Sequence, residues 1–235
     1  MIHPRQFRWM ECEMKQALLM SSVAAFALLL SGCQQNAPEG EEATIDTPSK
    51  QTTYSASNPD RILSNDELNA HADEARAAAM QLGQELKAEL IAAMEAGGPM
   101  AAISVCAEMA PAIASRISDE TGMEVGRTSL KTRNSANAPD AWEVESMERF
   151  LTSSANGYSL TDIERFYALE EEGETVFRFM KPIVMQEMCV MCHGDAVSDD
   201  VMEAVRAAYP QDQATGFAPG DLRGAFTVTK TLDLN

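Results

Sequence analysis

From Ser64 onward the polar and apolar positions fall into two alternating patterns. Leu68, Ala72, Ala75, Ala79, Leu82, Leu86 and Ala93 recur mostly at three- and four-residue steps, the signature of one helix face. Ser64-Asn65-Asp66-Glu67 has the form of a capping box, and Gly97-Gly98-Pro99 predicts an end near Ala96. A second helix is predicted over 100–118. Residues 122–134, "GMEVGRTSLKTRN", alternate and predict a strand. Residues 138–154 predict a helix with Pro139 near its start and acids in the first turn. Residues 162–185 read as two strands about a turn at Glu172-Gly173. A short helix over 198–210, with a capping serine and a terminating proline, and a last strand over 222–232 complete the set. Helices first, then a mostly antiparallel sheet with helices between, define an α+β domain without internal repeats. The heptad-like stripe of the long helix is expected to pack on its own domain. The same spacing also suits a second copy, which leaves a homodimer through the N-terminal helix open.

Upstream the pattern is different. Ala17–Leu30 is an apolar run of 14 residues, short of the roughly 20 needed to span a bilayer, and Lys15 precedes it. It reads as a signal sequence. Leu30-Ser31-Gly32-Cys33 resembles the cleavage box of bacterial lipoproteins, in which the cysteine, here Cys33, carries a diacylglycerol. Several acyl chains on one residue suffice for stable anchoring. Residues 1–13 fit no part of this, and Met14 is the expected initiator. Residues 34–60 are rich in Gln, Glu, Thr, Ser and Pro and predict a disordered tether. The expected organisation is therefore a lipoprotein signal over 1–33, a tether over 34–60 and a folded domain over 61–235. It is expected outside the cytoplasm, held to a bacterial membrane. A net charge of −18 argues against nucleic acid as a partner and suits a soluble exported protein.

The chemistry concentrates in "MCVMCHG", residues 188–194. Cys189 and Cys192, at i and i+3, lie on one side of a helical turn and can each bond one vinyl group of a haem. His193 then falls beneath the ring and can donate a nitrogen to iron. This is the spacing of covalent haem c attachment, one haem per motif. Two rivals use the same residues. Cys106, Cys189, Cys192 and His193 could hold zinc, although the neighbours Cys192 and His193 point apart. The cysteine pair could also be a thiol–disulfide couple, which prefers a βαβ unit that this pattern lacks.

A sixth ligand has few sources. His71 lies off the apolar stripe and is expected to face solvent. Met180, Met185, Met188, Met191 and Met202 are numerous, but methionine is ordinary core filling. Cys106 sits on an apolar helix face. In the mature chain, from which Cys12 would be absent, Cys33 would be acylated and Cys189 and Cys192 alkylated, leaving Cys106 the one free thiol in an oxidising compartment. Chemistry alone leaves it balanced between ligand and inert core residue.

Four separated blocks, "AISVCAEMAPAIA", "VGRTSLKTRNSANAPDAWE", "MCVMCHG" and "YPQDQATGFAPGDLRGAFTV", together resemble a family of single-haem c-type proteins with a PAS-like fold. The resemblance covers most of 64–230. It implies one covalent haem with His on one face and Cys on the other, hence His193 and Cys106 as metal ligands. The family also occurs as an extracytoplasmic input module of bacterial sensors. One departure is Ser135, where a proline is expected, and it touches a turn rather than a ligand. In the predicted strand, alternation puts Arg127, Ser129, Lys131 and Arg133 on one face. Arg127 or Arg133 is expected to bind a haem propionate, with Arg223 a weaker candidate. Asn134, Asn137 and Trp142 are expected to fix the turn and helix behind it, and Gly216, Gly220 and Gly224 to allow tight turns or close approach to the ring.

The expected protein is a membrane-tethered cytochrome, not an enzyme, working in low-potential electron transfer or redox and ligand sensing with a redox or signalling protein as partner. A peroxidase would need acid–base groups over an open iron face, and with His3 upstream of the expected initiator His71 is the only further histidine on offer. No kinase, methyl-accepting or second redox segment is evident in these residues. A sensor would therefore signal through a partner, which tilts the expectation toward electron transfer.

Overall fold

The computed structural model describes residues 63–233. The expectations for Cys33, the signal, the initiator and the tether lie outside the described residues.

Helix α1 spans Asn65–Ser104. Its start is the capping box read from the sequence: Glu67 N donates to Ser64 Oγ at 3.3 Å and Ser64 N to Glu67 Oε2 at 2.8 Å. Replacing Ser64 by alanine should lower unfolding free energy by about 1 kcal/mol in a urea titration. The predicted break is present as a kink. Gly97 and Gly98 leave helical geometry, Gly98 at φ 67, and the helix resumes through Pro99. Only glycine reaches that φ without a Cβ penalty. A π-helical turn, Val105–Met109, follows, and α2 continues over Ala110–Thr121.

The strands are β1 (Glu124–Thr128), β2 (Arg165–Glu171), β3 (Glu174–Val184) and β4 (Leu222–Leu232). They form one antiparallel sheet in the order β1-β4-β3-β2. Helix α3 spans Ala141–Ala155, α4 Val190–His193 and α5 Asp199–Ala208. The turn joining β2 to β3 falls at Glu172-Gly173, with φ 53 and 88. The α+β class and the antiparallel sheet are as expected.

Period-two alternation along β3 and β4 sorts side chains to two faces. Phe177, Phe179 and Val228 meet Ala72, Ala75, Ala79 and Leu82 of α1. Met180 and Ala225 meet Met147 and Phe150 of α3. The apolar stripe of α1 thus serves the chain's own core over its first half. A third cluster joins Ile103 beyond the kink to Val201 and Val205 of α5.

Three details differ from the sequence reading. The strand predicted over 122–134 ends at Thr128, paired with Ala225. Ser129 Oγ then donates to backbone carbonyls and accepts from Lys131 N at 3.1 Å, which turns the chain out of the sheet. Arg127, Lys131 and Arg133 therefore do not share a strand face. His71 does not face solvent freely: its ring lies 5.6 Å from buried Phe177 and its Nδ1 is buried without a hydrogen bond. Ser198 occupies the N-cap of α5 but makes no side-chain capping bond.

Candidate functional site

Beyond its first half, α1 leaves the sheet core, and its inner residues Leu86, Leu90 and Met94 face a cavity of about 340 Å³. That size is within the range of small-molecule and cofactor sites. The opposite side is built by the Cys189–His193 segment, and the ends of β1, β3 and β4 close it.

Cys106 reaches the cavity from the π-helical turn. Such turns insert a residue into a helix and recur at functional sites. Burial pushes the Cys106 thiol up, against the pull of Arg127, Arg133 and Arg223. On the facing segment a 3-10 turn, Glu187–Cys189, runs into α4. Cys189, Cys192 and His193 all line the same cavity as Cys106. The three thiols are unpaired. Among the described residues no three His, Cys, Asp or Glu side chains are grouped to hold a bare metal ion.

His193 is oriented by its backbone surroundings. Its Nδ1 lies 2.8 Å from the Ala214 carbonyl. A carbonyl only accepts, so Nδ1 carries the proton and Nε2 keeps its lone pair. Burial, then Arg223 and Arg133, push the imidazole pKa down to about 3, which keeps it neutral at ordinary pH. Phe217 N donates to His193 O at 3.0 Å and Gly216 N to Gly194 O at 2.9 Å, tying the 213–217 loop to the motif.

The charge of the cavity opposes that of the chain. Arg127, Arg133 and Arg223 line it, and among the described residues no carboxylate does. Arg133 pairs with Asp212, Nε to Oδ1 at 2.9 Å, and also donates to Cys192 O and Ala214 O. Arg223 donates to Ser129 Oγ at 2.9 Å and Lys131 O at 3.1 Å, and burial followed by Arg133 and Arg127 push its pKa down to about 10. The Arg127 guanidinium has no hydrogen-bond or ion-pair partner among the described residues, and burial pushes its pKa down. Lys131 is exposed over Phe217 in a neighbouring groove instead.

The remaining candidates separate cleanly. Asn134 caps a 3-10 turn at Ser135–Asn137 through its side chain, as expected, while Asn137 contributes its backbone carbonyl, which accepts from Thr128 Oγ1. Trp142 packs on Tyr167 and Arg178, against the α3 side of the sheet. Gly216 and Gly220 hold φ 77 and 91. At Gly224 a Cβ would lie 2.3 Å from Thr128 O, so the close approach there is between β4 and β1. Met185, Met188 and Met191 line the cavity; Met180 is core, and neither Met202 nor His71 faces the cavity. Sequence reasoning missed Asp212 and the Ala214 carbonyl. Both lie in the last quoted block, yet nothing local marks them as neighbours of His193.

The Tll0287-like family model matches residues 37–230. The chain belongs to the Tll0287-like family. All four resembling blocks fall within the matched span. Among solved structures, the crystal structure of the cyanobacterial haem protein Tll0287 is similar, with 23% identity and a TM-score of 0.51 over 74% of this chain and 99% of that one. At that identity the likeness is one of fold, and it agrees with the α+β architecture of a Tll0287-like protein. No curated protein matches this Tll0287-like chain.

Proposed function

We propose that this Tll0287-like chain binds one haem c in the cavity between α1 and α4 and serves as an extracytoplasmic, lipid-anchored electron carrier. The observation that carries the reading is the composition of one cavity. Apolar walls, two cysteines and a histidine at attachment spacing, a further cysteine and three arginines, with no carboxylate among the described lining residues, all meet there. An apolar ring with two carboxylates and a metal matches each part. The solved relative is itself named as a haem protein.

Cys189 and Cys192 would hold the group through thioethers. His193 would present Nε2, its ring fixed by Ala214. Cys106 would present sulfur, and Arg127, whose guanidinium lacks a partner among the described residues, would take a propionate, with Arg133 or Arg223 beside it. When bound, the haem would supply one-electron chemistry, taking an electron from a reduced partner protein and passing it to an oxidised one. A thiolate ligand favours ferric iron and a low potential. The placement of His71 outside the cavity supports a carrier over a peroxidase. The anchor and location rest on 17–33 of the sequence.

A second reading, sensing by release of Cys106, is favoured by the π-helical turn that carries it, an irregular segment that could reform as regular helix. Carbon monoxide separates the two: a carrier ignores it when reduced, and a sensor binds it.

Purification from a host able to mature c-type cytochromes tests the core of the proposal. The protein should show a Soret band, keep its haem through acid–acetone extraction and carry a porphyrin adduct by mass. A colourless preparation of unmodified mass rejects it.

A further inference from the structure

We propose that Asp212 and Arg133 form a clamp that sets how strongly His193 donates to its metal, an inference that rests on the haem reading above. The Ala214 carbonyl accepts from His193 Nδ1 at 2.8 Å and from Arg133 Nη2 at 3.2 Å. A carbonyl has two lone pairs, and these two donors take both. Arg133 Nη2 also donates to Cys192 O at 2.6 Å, so its two hydrogens go to the histidine's anchor and to the carbonyl of the residue preceding the histidine. The longer 3.4 Å approach of Nη2 to Asp212 Oδ2 is secondary, because Nε already bonds Oδ1 at 2.9 Å. Asp212 Oδ1 also accepts from Ala214 N at 3.0 Å, which fixes the same peptide segment.

The pair is deeply buried, Arg133 at 10% and Asp212 at 4% side-chain exposure. A buried ion pair is an inefficient way to gain stability. Its position suggests a different use. A cation donating to the Ala214 carbonyl draws electron density from it, weakening it as acceptor for Nδ1–H. The imidazole then has less imidazolate character and donates less to a metal at Nε2. Asp212 opposes this by compensating the guanidinium. Second-shell partners of ligating histidines tune a site in this way, with effects of 10–100-fold in affinity or activity.

Reduction potentials of haem-loaded variants test the clamp. Arg133→Gln should lower the potential by about tenfold in the reduction equilibrium, about 59 mV for one electron. Asp212→Asn should raise it, and the double variant should fall between the two. Arg133→Lys decides between bond and charge, since it keeps the charge but cannot reach both carbonyls and the carboxylate. It should fall by at least half as much as Arg133→Gln. An Arg133→Lys potential closer to wild type overturns the clamp and leaves a purely coulombic role. If Asp212→Asn fails to fold by circular dichroism, the two Arg133 variants decide by the same criterion. A colourless wild type would overturn the haem reading and this proposal with it; a coloured wild type with an insensitive Arg133→Lys overturns the clamp alone.

Discussion

Replacing both Cys189 and Cys192 by alanine should give a protein that keeps no haem through acid–acetone extraction. The two thiols lie one helical turn apart at the 3-10 to α4 junction and face one cavity. Each would form one thioether, so either single variant should retain a one-point attachment and the double variant none. The change is small in volume, and both side chains are only half-buried, so the fold should persist by circular dichroism. His193 and Cys106 remain, and the double variant can still take up haem reversibly. A Soret band that disappears on extraction is therefore the expected result. Haem that stays attached to the denatured double variant would mean that another nucleophile holds it, and the assignment of the motif would be wrong.

Much of this architecture was readable because its determinants are local. The capping box at Ser64, the glycine break at 97–98 and the turn at Glu172-Gly173 each depend on neighbouring residues, and each is present. The meeting of Cys189, Cys192 and His193 at one cavity wall follows from short-range spacing in the same way. What failed was non-local. The strand over 122–134 was overextended because the Ser129 hydroxyl, bonded to Arg223 O and Lys131 O, redirects the chain at a point where alternation continues on paper. Lys131 consequently leaves the group of cavity arginines, and Arg223, from a strand far along the chain, joins it. His71 lies off the stripe, a position that predicts solvent, yet its ring lies 5.6 Å from that of Phe177 on β3. The π-helical turn at Cys106 shifts helical phase by one residue, and a fixed period cannot register that. The role of Asp212 needed the contact with Arg133, which no local pattern contains.

Cys106→Ala should leave haem attachment intact while changing the iron's spectrum and raising its potential by on the order of 100 mV. Axial ligand identity moves haem potentials over a span of about 0.8 V, and loss of a thiolate removes the ligand that most favours the ferric state. The cavity wall makes the variant interpretable. Cys189, Cys192 and His193 come from a different segment, so attachment would not depend on the π-helical turn that carries Cys106. Burial pushes the free Cys106 thiol up, which keeps it protonated until a metal displaces the proton. Low-temperature EPR of the ferric protein should show a low-spin thiolate signature in the wild type. The variant should show either high-spin iron or a shifted low-spin species from a methionine that moves in. Met94, Met185, Met188 and Met191 line the same cavity and are available for that replacement. Identical spectra and potentials in the two proteins would make Cys106 an inert wall residue, and the sixth ligand would then be sought among those four sulfurs.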